Sequence, residues 1–153
     1  MLVLGMLIEV MAQSIQGTAW NVVELYGTAV PGLSDVGDRG PYLIFGPAGR
    51  MSGADGCNHL SGPYTVTASG ITFGKMAETP MACSRTEEVA RRFREALVDA
   101  SYWRIVMGRL EFYSESGTPL AIFEQRPASA DGPITLNAKH TSWFGFAATK
   151  VAR

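Results

Sequence analysis

The chain is poor in the residues on which metal and redox chemistry depends. Its 153 residues include two cysteines, Cys57 and Cys83, and two histidines, His59 and His140. Neither histidine has a second histidine or a cysteine beside it at a zinc-ligand spacing, so no metal site is expected. Charge is scarce as well. Charged residues make up 18%, against about 25% in an average soluble domain. Thirteen Lys and Arg nearly balance fourteen Asp and Glu, leaving a net charge of −1. That balance offers no basic footprint for nucleic acid and no attraction to an anionic membrane. No apolar run approaches the ~18 residues that cross a bilayer as a helix. A nucleophile elbow of the form G-x-S-x-G does not occur. Gly70 to Met76 is one residue short of a phosphate loop, and Met76 stands where a magnesium-binding hydroxyl belongs. Asp35 to Gly40 puts Gly37 and Arg39 where a calcium loop needs oxygen ligands. The one covalent arrangement the spacing permits is Cys57 with His59, two residues apart and so on one face of a strand.

What the chain has is apolar material cut into short pieces. Hydrophobic residues make up 46%, and seventeen Gly and eight Pro punctuate them, which fits one domain with many turns. Trp20 to Tyr26 reads as a strand. Pro31 to Pro41, with three Gly, two Asp and two Pro, reads as a loop. Tyr42 to Phe45 is strand-like, and Gly46-Pro47-Ala48-Gly49 turns the chain back into Arg50-Met51-Ser52. Tyr64 to Thr67 and Ile71 to Phe73 form a hairpin around Ala68-Ser69-Gly70. Tyr102 to Met107 and Leu110 to Tyr113 repeat the device around Gly108, and Leu120 to Glu124 follows. The fold class expected is mainly β (α+β): an antiparallel, curled or barrel-like sheet crossed by one α-helix at about residues 84–100.

That helix rests on a different periodicity. Ser84-Arg85-Thr86-Glu87 is a capping box, with Ser84 as N-cap and Glu87 covering its amide in return. Val89, Phe93, Ala96, Leu97 and Ala100 then make one apolar stripe. Glu87–Arg91, Glu88–Arg92 and Arg91–Glu95 are ion pairs one turn apart on a solvated face. At the chain ends, Met1 to Ala12 is an apolar tract closing on Val10-Met11-Ala12, and reads as a signal-peptide remnant. The competing reading is a first β-strand. Residues 127–153 form a C-terminal extension that carries Trp143, Phe144 and Phe146, with one or two further strands expected.

One constellation is more specific. Gly53-Ala54-Asp55-Gly56-Cys57-Asn58-His59-Leu60-Ser61-Gly62-Pro63-Tyr64 reads G-x-x-G-C-N-x-L-x-G-x-Y, and Thr79-Pro80-Met81-Ala82-Cys83 reads T-x-M-A-C. Over residues 18–125 the chain resembles the META domain family, which includes heat-shock proteins of the HslJ type. The resemblance implies a small β roll with one helix and a bacterial envelope protein, secreted or anchored, linked to stress tolerance. It implies no enzymatic activity and no cofactor. Anchored members carry a lipobox, which this chain lacks. Physically, Gly53, Gly56 and Gly62 permit positive φ or close backbone approach, so the segment is expected to form a tight corner between strands. Asn58 is suited to brace that corner through backbone hydrogen bonds. Tyr64 is suited to bury its ring and satisfy its hydroxyl at the rim. Gly53, Gly56, Asn58, Gly62, Tyr64, Thr79 and Met81 are therefore the candidate binding or structural positions.

The expected role is a non-enzymatic envelope protein, periplasmic or secreted, acting in stress tolerance or binding. It would be cytoplasmic if residues 1–12 are not an export signal. The expected partner is an envelope protein or a small apolar ligand, and the expected state is a monomer. Two alternatives differ in class: a lipocalin-like carrier with a hollow sheet, and a thiol redox protein or small hydrolase using Cys57 and Cys83. In an oxidising compartment the two cysteines, one in each half of the signature, are expected to form a disulfide. In the cytosol they would be two small buried thiols. A reactive pair is the third reading, with Cys83 acidified by the helix N-terminus.

Overall fold

Alternation of buried and exposed residues organises nearly every strand. The computed structural model describes residues 14–30 and 40–127. The strands are β1 (Ala19–Leu25), β2 (Thr28–Ala29), β3 (Tyr42–Phe45), β4 (Arg50–Ala54), β5 (His59–Val66), β6 (Ile71–Phe73) and β7 (Ala77–Glu78). Helix α1 (Glu87–Asp99) follows, then β8 (Tyr102–Val106), β9 (Arg109–Tyr113) and β10 (Pro119–Gln125). Along β5, Leu60, Gly62 and Tyr64 point inward while His59, Ser61 and Pro63 face out. That is the period-two pattern of a sheet with one buried face.

All pairings are antiparallel, in the order β6-β5-β4-β3-β1-β10-β9-β8, with β2 on β1 and β7 on β5. Trp20 of β1 stands between Leu43 of β3 and Gln125 of β10, so the central strand joins the two halves. The two ends of the sheet curl toward each other. Gly70 bridges Tyr102, the Ile71 N–H donates to Ser101 O at 3.0 Å, and the Trp103 N–H donates to Ser69 O at 2.9 Å. The result is a nearly closed barrel, which leaves little free strand edge.

The interior is filled with side chains. Phe45, Phe93, Phe112 and Phe123 have no exposed surface. Ring contacts run without a break from Tyr64 to Phe45 (5.1 Å between centroids), Phe73 (6.4 Å), Phe112 (5.8 Å) and Phe123 (4.8 Å), ending at Phe93 of the helix (6.4 Å). Helix α1 touches β1, β10 and β6 together, so it lies across the sheet. Its buried residues are Ala90, Phe93, Ala96 and Leu97.

Several sequence expectations need correction. The helix starts at Glu87, not Ser84: Thr86 is the N-cap position and makes no side-chain cap. Arg91 pairs with Glu88 and Glu95, and Arg92 pairs with Glu88. Glu87 forms none of the ion pairs among the described residues, because Glu88 serves both guanidinium groups. Strand β5 begins five residues earlier than its apolar run suggested, since pairing with β4 (Ala54 with His59) extends it through Ser61 and Pro63. The short strands β2 and β7 carry too few residues to show a period. The tract 1–12, most of the Pro31–Pro41 loop and the extension after Pro127 lie outside the described residues.

Candidate functional site

The two halves of the sequence signature meet at one end of the barrel. Strands β4 and β5 are joined by Asp55-Gly56-Cys57-Asn58, so the tight corner is these four residues only. Gly56 has φ +97°, a backbone conformation that glycine adopts at little cost. Gly53 and Gly62 instead lie within β4 and β5, where neighbouring backbone comes close. A Cβ at Gly53 would sit 2.2 Å from Tyr42 O, and one at Gly62 would sit 3.1 Å from Lys75 O.

Asp55 is fully buried. Its Oδ1 accepts the Cys57 N–H at 2.8 Å and the Asn58 N–H at 2.6 Å, an Asx-type turn. Its Oδ2 accepts Arg94 Nη1 at 2.8 Å, and the same Nη1 lies 3.4 Å from Glu78. The corner is thereby locked to the middle of helix α1. Arg94 is only about one-third exposed, so this pair is better shielded than the other helix ion pairs.

Asn58 holds the second motif. Its Oδ1 accepts the Met81 N–H at 2.8 Å and the Thr79 hydroxyl at 3.3 Å, and Thr79 Oγ1 accepts the His59 N–H at 3.0 Å. Cys57 and Cys83 are joined as a disulfide, with Cα atoms 5.7 Å apart. Thr86 Oγ1 donates to Gly56 O at 3.0 Å. Residues 79–86 therefore form a strap stitched over the corner. In this bridged state Cys57 has no free thiol to pair with His59.

Two clefts flank the strap. The larger, about 610 Å³, is lined by Tyr42, His59, Met81, Arg85 and Thr86 together with the disulfide. The smaller, about 400 Å³, lies on the side of Glu78, Glu87 and Arg94. Met81 is more than half exposed on the strap. Arg126 stacks over the Tyr42 ring at 4.3 Å, which adds a cation at the edge of the larger cleft.

Of the candidate positions, Gly56, Cys57, Asn58, Thr79, Met81 and Cys83 are brought together here. Tyr64 is not: its ring is buried and its hydroxyl donates to Gly46 O at 3.0 Å, at the β3–β4 turn. Gly62 packs on Met76 and Lys75, away from the clefts. Sequence reasoning passed over Asp55 and Arg94. The Asp55-Gly56 dipeptide is a hairpin signal that pointed to the turn, but nothing local distinguishes Arg94 from the other cations of the helix.

This geometry defines a class: a nearly closed antiparallel β barrel, crossed by one helix, with a disulfide strap at one mouth. A family model of the META domain matches residues 13–127, and the chain belongs to that family. Among curated proteins, none matches the chain. Solved structures share the fold. A protein from Burkholderia xenovorans, solved by NMR, aligns with TM-score 0.61 and 20% identity, over 76% of this chain and 86% of that one. A DUF4847 family protein from Bacteroides vulgatus aligns with TM-score 0.53 and 17% identity, over 74% of this chain and 95% of the other.

Proposed function

We propose that this chain is a non-enzymatic binding module of the bacterial envelope, with a role in stress tolerance, and that it binds through the clefts beside its disulfide strap. One observation carries the reading. Space for a ligand lies against the two linked motifs, outside a barrel whose interior is packed with aromatic rings. The same packing lends no support to a lipocalin-like carrier, which needs a hollow sheet. The disulfide suits an oxidising compartment. No helix among the described residues is long and apolar enough to cross a membrane. The larger cleft presents Tyr42, Met81 and the disulfide as apolar surface, with Arg85 and His59 at its rim. Such a surface suits a ligand with an apolar body and an anionic group.

Anilinonaphthalene sulfonate has that chemistry and serves as the probe. Fluorescence titration of the native protein is expected to show saturable binding. Met81→Asp, in the exposed strap, is expected to abolish it while leaving the melting temperature unchanged. Undiminished dye binding in that variant would remove the cleft from consideration.

A further inference from the structure

Ser84-Arg85-Thr86-Glu87 holds every part of a capping box, yet the helix does not use it. It starts at Glu87 behind Thr86, whose φ of −115° and ψ of 3° come with no side-chain cap. Two tethers hold this segment in place. Cys83 is bonded to Cys57, and the Thr86 hydroxyl is engaged with Gly56 O. Between the tethers, the segment bonds to itself: the Thr86 N–H donates to Cys83 O at 3.3 Å. Among the described residues, Ala82 to Arg85 make no other hydrogen bond to the barrel. Upstream, Thr79 and Met81 are pinned separately by Asn58, and β7 is pinned by β5.

We infer that the Cys57–Cys83 disulfide is a thiol-reducible latch that sets where helix α1 begins. Reduction frees Ala82 to Arg85, Ser84 becomes the N-cap, and the helix lengthens backward to Arg85. In that state Ser84 Oγ accepts the Glu87 N–H and the Glu87 carboxylate accepts the Ser84 N–H. The Glu88 and Val89 amides gain Ser84 O and Arg85 O as helical acceptors. The Thr86–Gly56 bond is given up in exchange.

The reductant is a dithiol. One of its thiolates attacks a sulfur of the bridge, the S–S bond breaks, and the other cysteine leaves as a thiolate and takes a proton. The second thiol of the reductant then attacks the mixed disulfide. It leaves as a cyclic or bridged disulfide, and both cysteines end as thiols. Two electrons and two protons pass from the dithiol to the protein. Access is available, since both cysteines are partly exposed and line both clefts. Met81, Ala82 and Ser84 also line both. The freed segment is therefore part of the wall between the clefts, and its movement reshapes them. That last step rests on the binding role proposed above.

The test compares the full chain with and without excess dithiothreitol by NMR. On reduction, the Cα shifts of Arg85 and Thr86 are expected to move to helical values while the strand signals stay in place. Ser84→Ala is expected to lower the melting temperature of the reduced protein and leave the oxidised protein unchanged. A helix that still starts at Glu87 after reduction overturns the latch, as does an equal effect of Ser84→Ala in both states. Collapse of the strand signals on reduction overturns it too, because the Asn58 and Asp55 contacts must then hold the corner alone. None of these readouts involves a ligand, so the latch and the binding role stand or fall separately.

Discussion

Asp55 is a carboxylate with no exposed surface, a placement that is expensive unless the charge is fully partnered. Here two backbone amides and the Arg94 guanidinium occupy its oxygens. Asp55→Ala should therefore destabilise the protein by about 3–5 kcal/mol, because it strands a guanidinium and two amides at once. Asp55→Asn keeps an acceptor for the amides and should cost less. Arg94→Met should cost about 3–5 kcal/mol, since it leaves the fully buried Asp55 carboxylate without its counter-ion. Urea denaturation measures all three, and an Asp55→Ala protein within 1 kcal/mol of the parent would show that the pair does not hold the corner. Gly53 makes a steric argument instead. With Tyr42 O where its Cβ would be, Gly53→Ala must part β3 from β4 and should cost at least about 1–3 kcal/mol.

At the scale of elements, α1 is held by the residues that face the sheet. Phe93 is fully buried against Phe123, so Phe93→Ala should cost about 3–5 kcal/mol. A loss under about 1 kcal/mol would mean that this stripe is not what fastens the helix. The β8–β9 hairpin is braced on its outer face by Glu111, which accepts Arg104 Nε at 2.7 Å and the Tyr113 hydroxyl. Burial pulls the Glu111 carboxyl upward, but the hydrogen bonds from Tyr113 and Arg104 together with the charges of Arg104 and Arg109 outweigh it, and the net direction is down. A carboxylate depressed in the folded state stabilises above its unfolded pKa of about 4.3, and that contribution is lost as pH falls through the lower folded value. Glu111→Gln should accordingly flatten the acid limb of a melting-temperature profile below pH ~4.3 and leave the limb near neutrality level.

For the whole molecule, the disulfide closes a separation of 26 residues, across β5, β6, β7 and the strap. On the chain-entropy account this stabilises the fold by roughly 3–4 kcal/mol. Reduction should lower the urea midpoint by a corresponding amount while the barrel stays folded at low urea, because a filled core and a nearly closed sheet remain. Intact mass under non-reducing conditions checks the bridge itself, which removes two hydrogens and blocks alkylation. Unaltered stability after complete reduction would count against this entropic role.

The strands, the hairpin turns and the apolar stripe of the helix were legible because each depends on residues close together in the chain. Alternation marks a pleated face, a three-to-four spacing marks a helix face, and glycine marks a turn. The paired motifs also suggested which two segments belong together, but the sequence left a bridge, two buried thiols and a reactive pair open for Cys57 and Cys83, and the structure joins them. Tertiary structure alone decided the rest. A capping box is a local preference, and here the bridge and the Thr86–Gly56 bond override it. Arg94 reads as one more surface cation until the fold brings it to Asp55, thirty-nine residues away. Gly53 and Gly62 resemble turn glycines, yet they serve strands, because what they accommodate is the backbone of a neighbour. The clefts follow the same logic: they lie where the strap crosses the corner, a juxtaposition made by the pairing of β7 with β5, the Asn58 hydrogen bonds and the Cys57–Cys83 bridge.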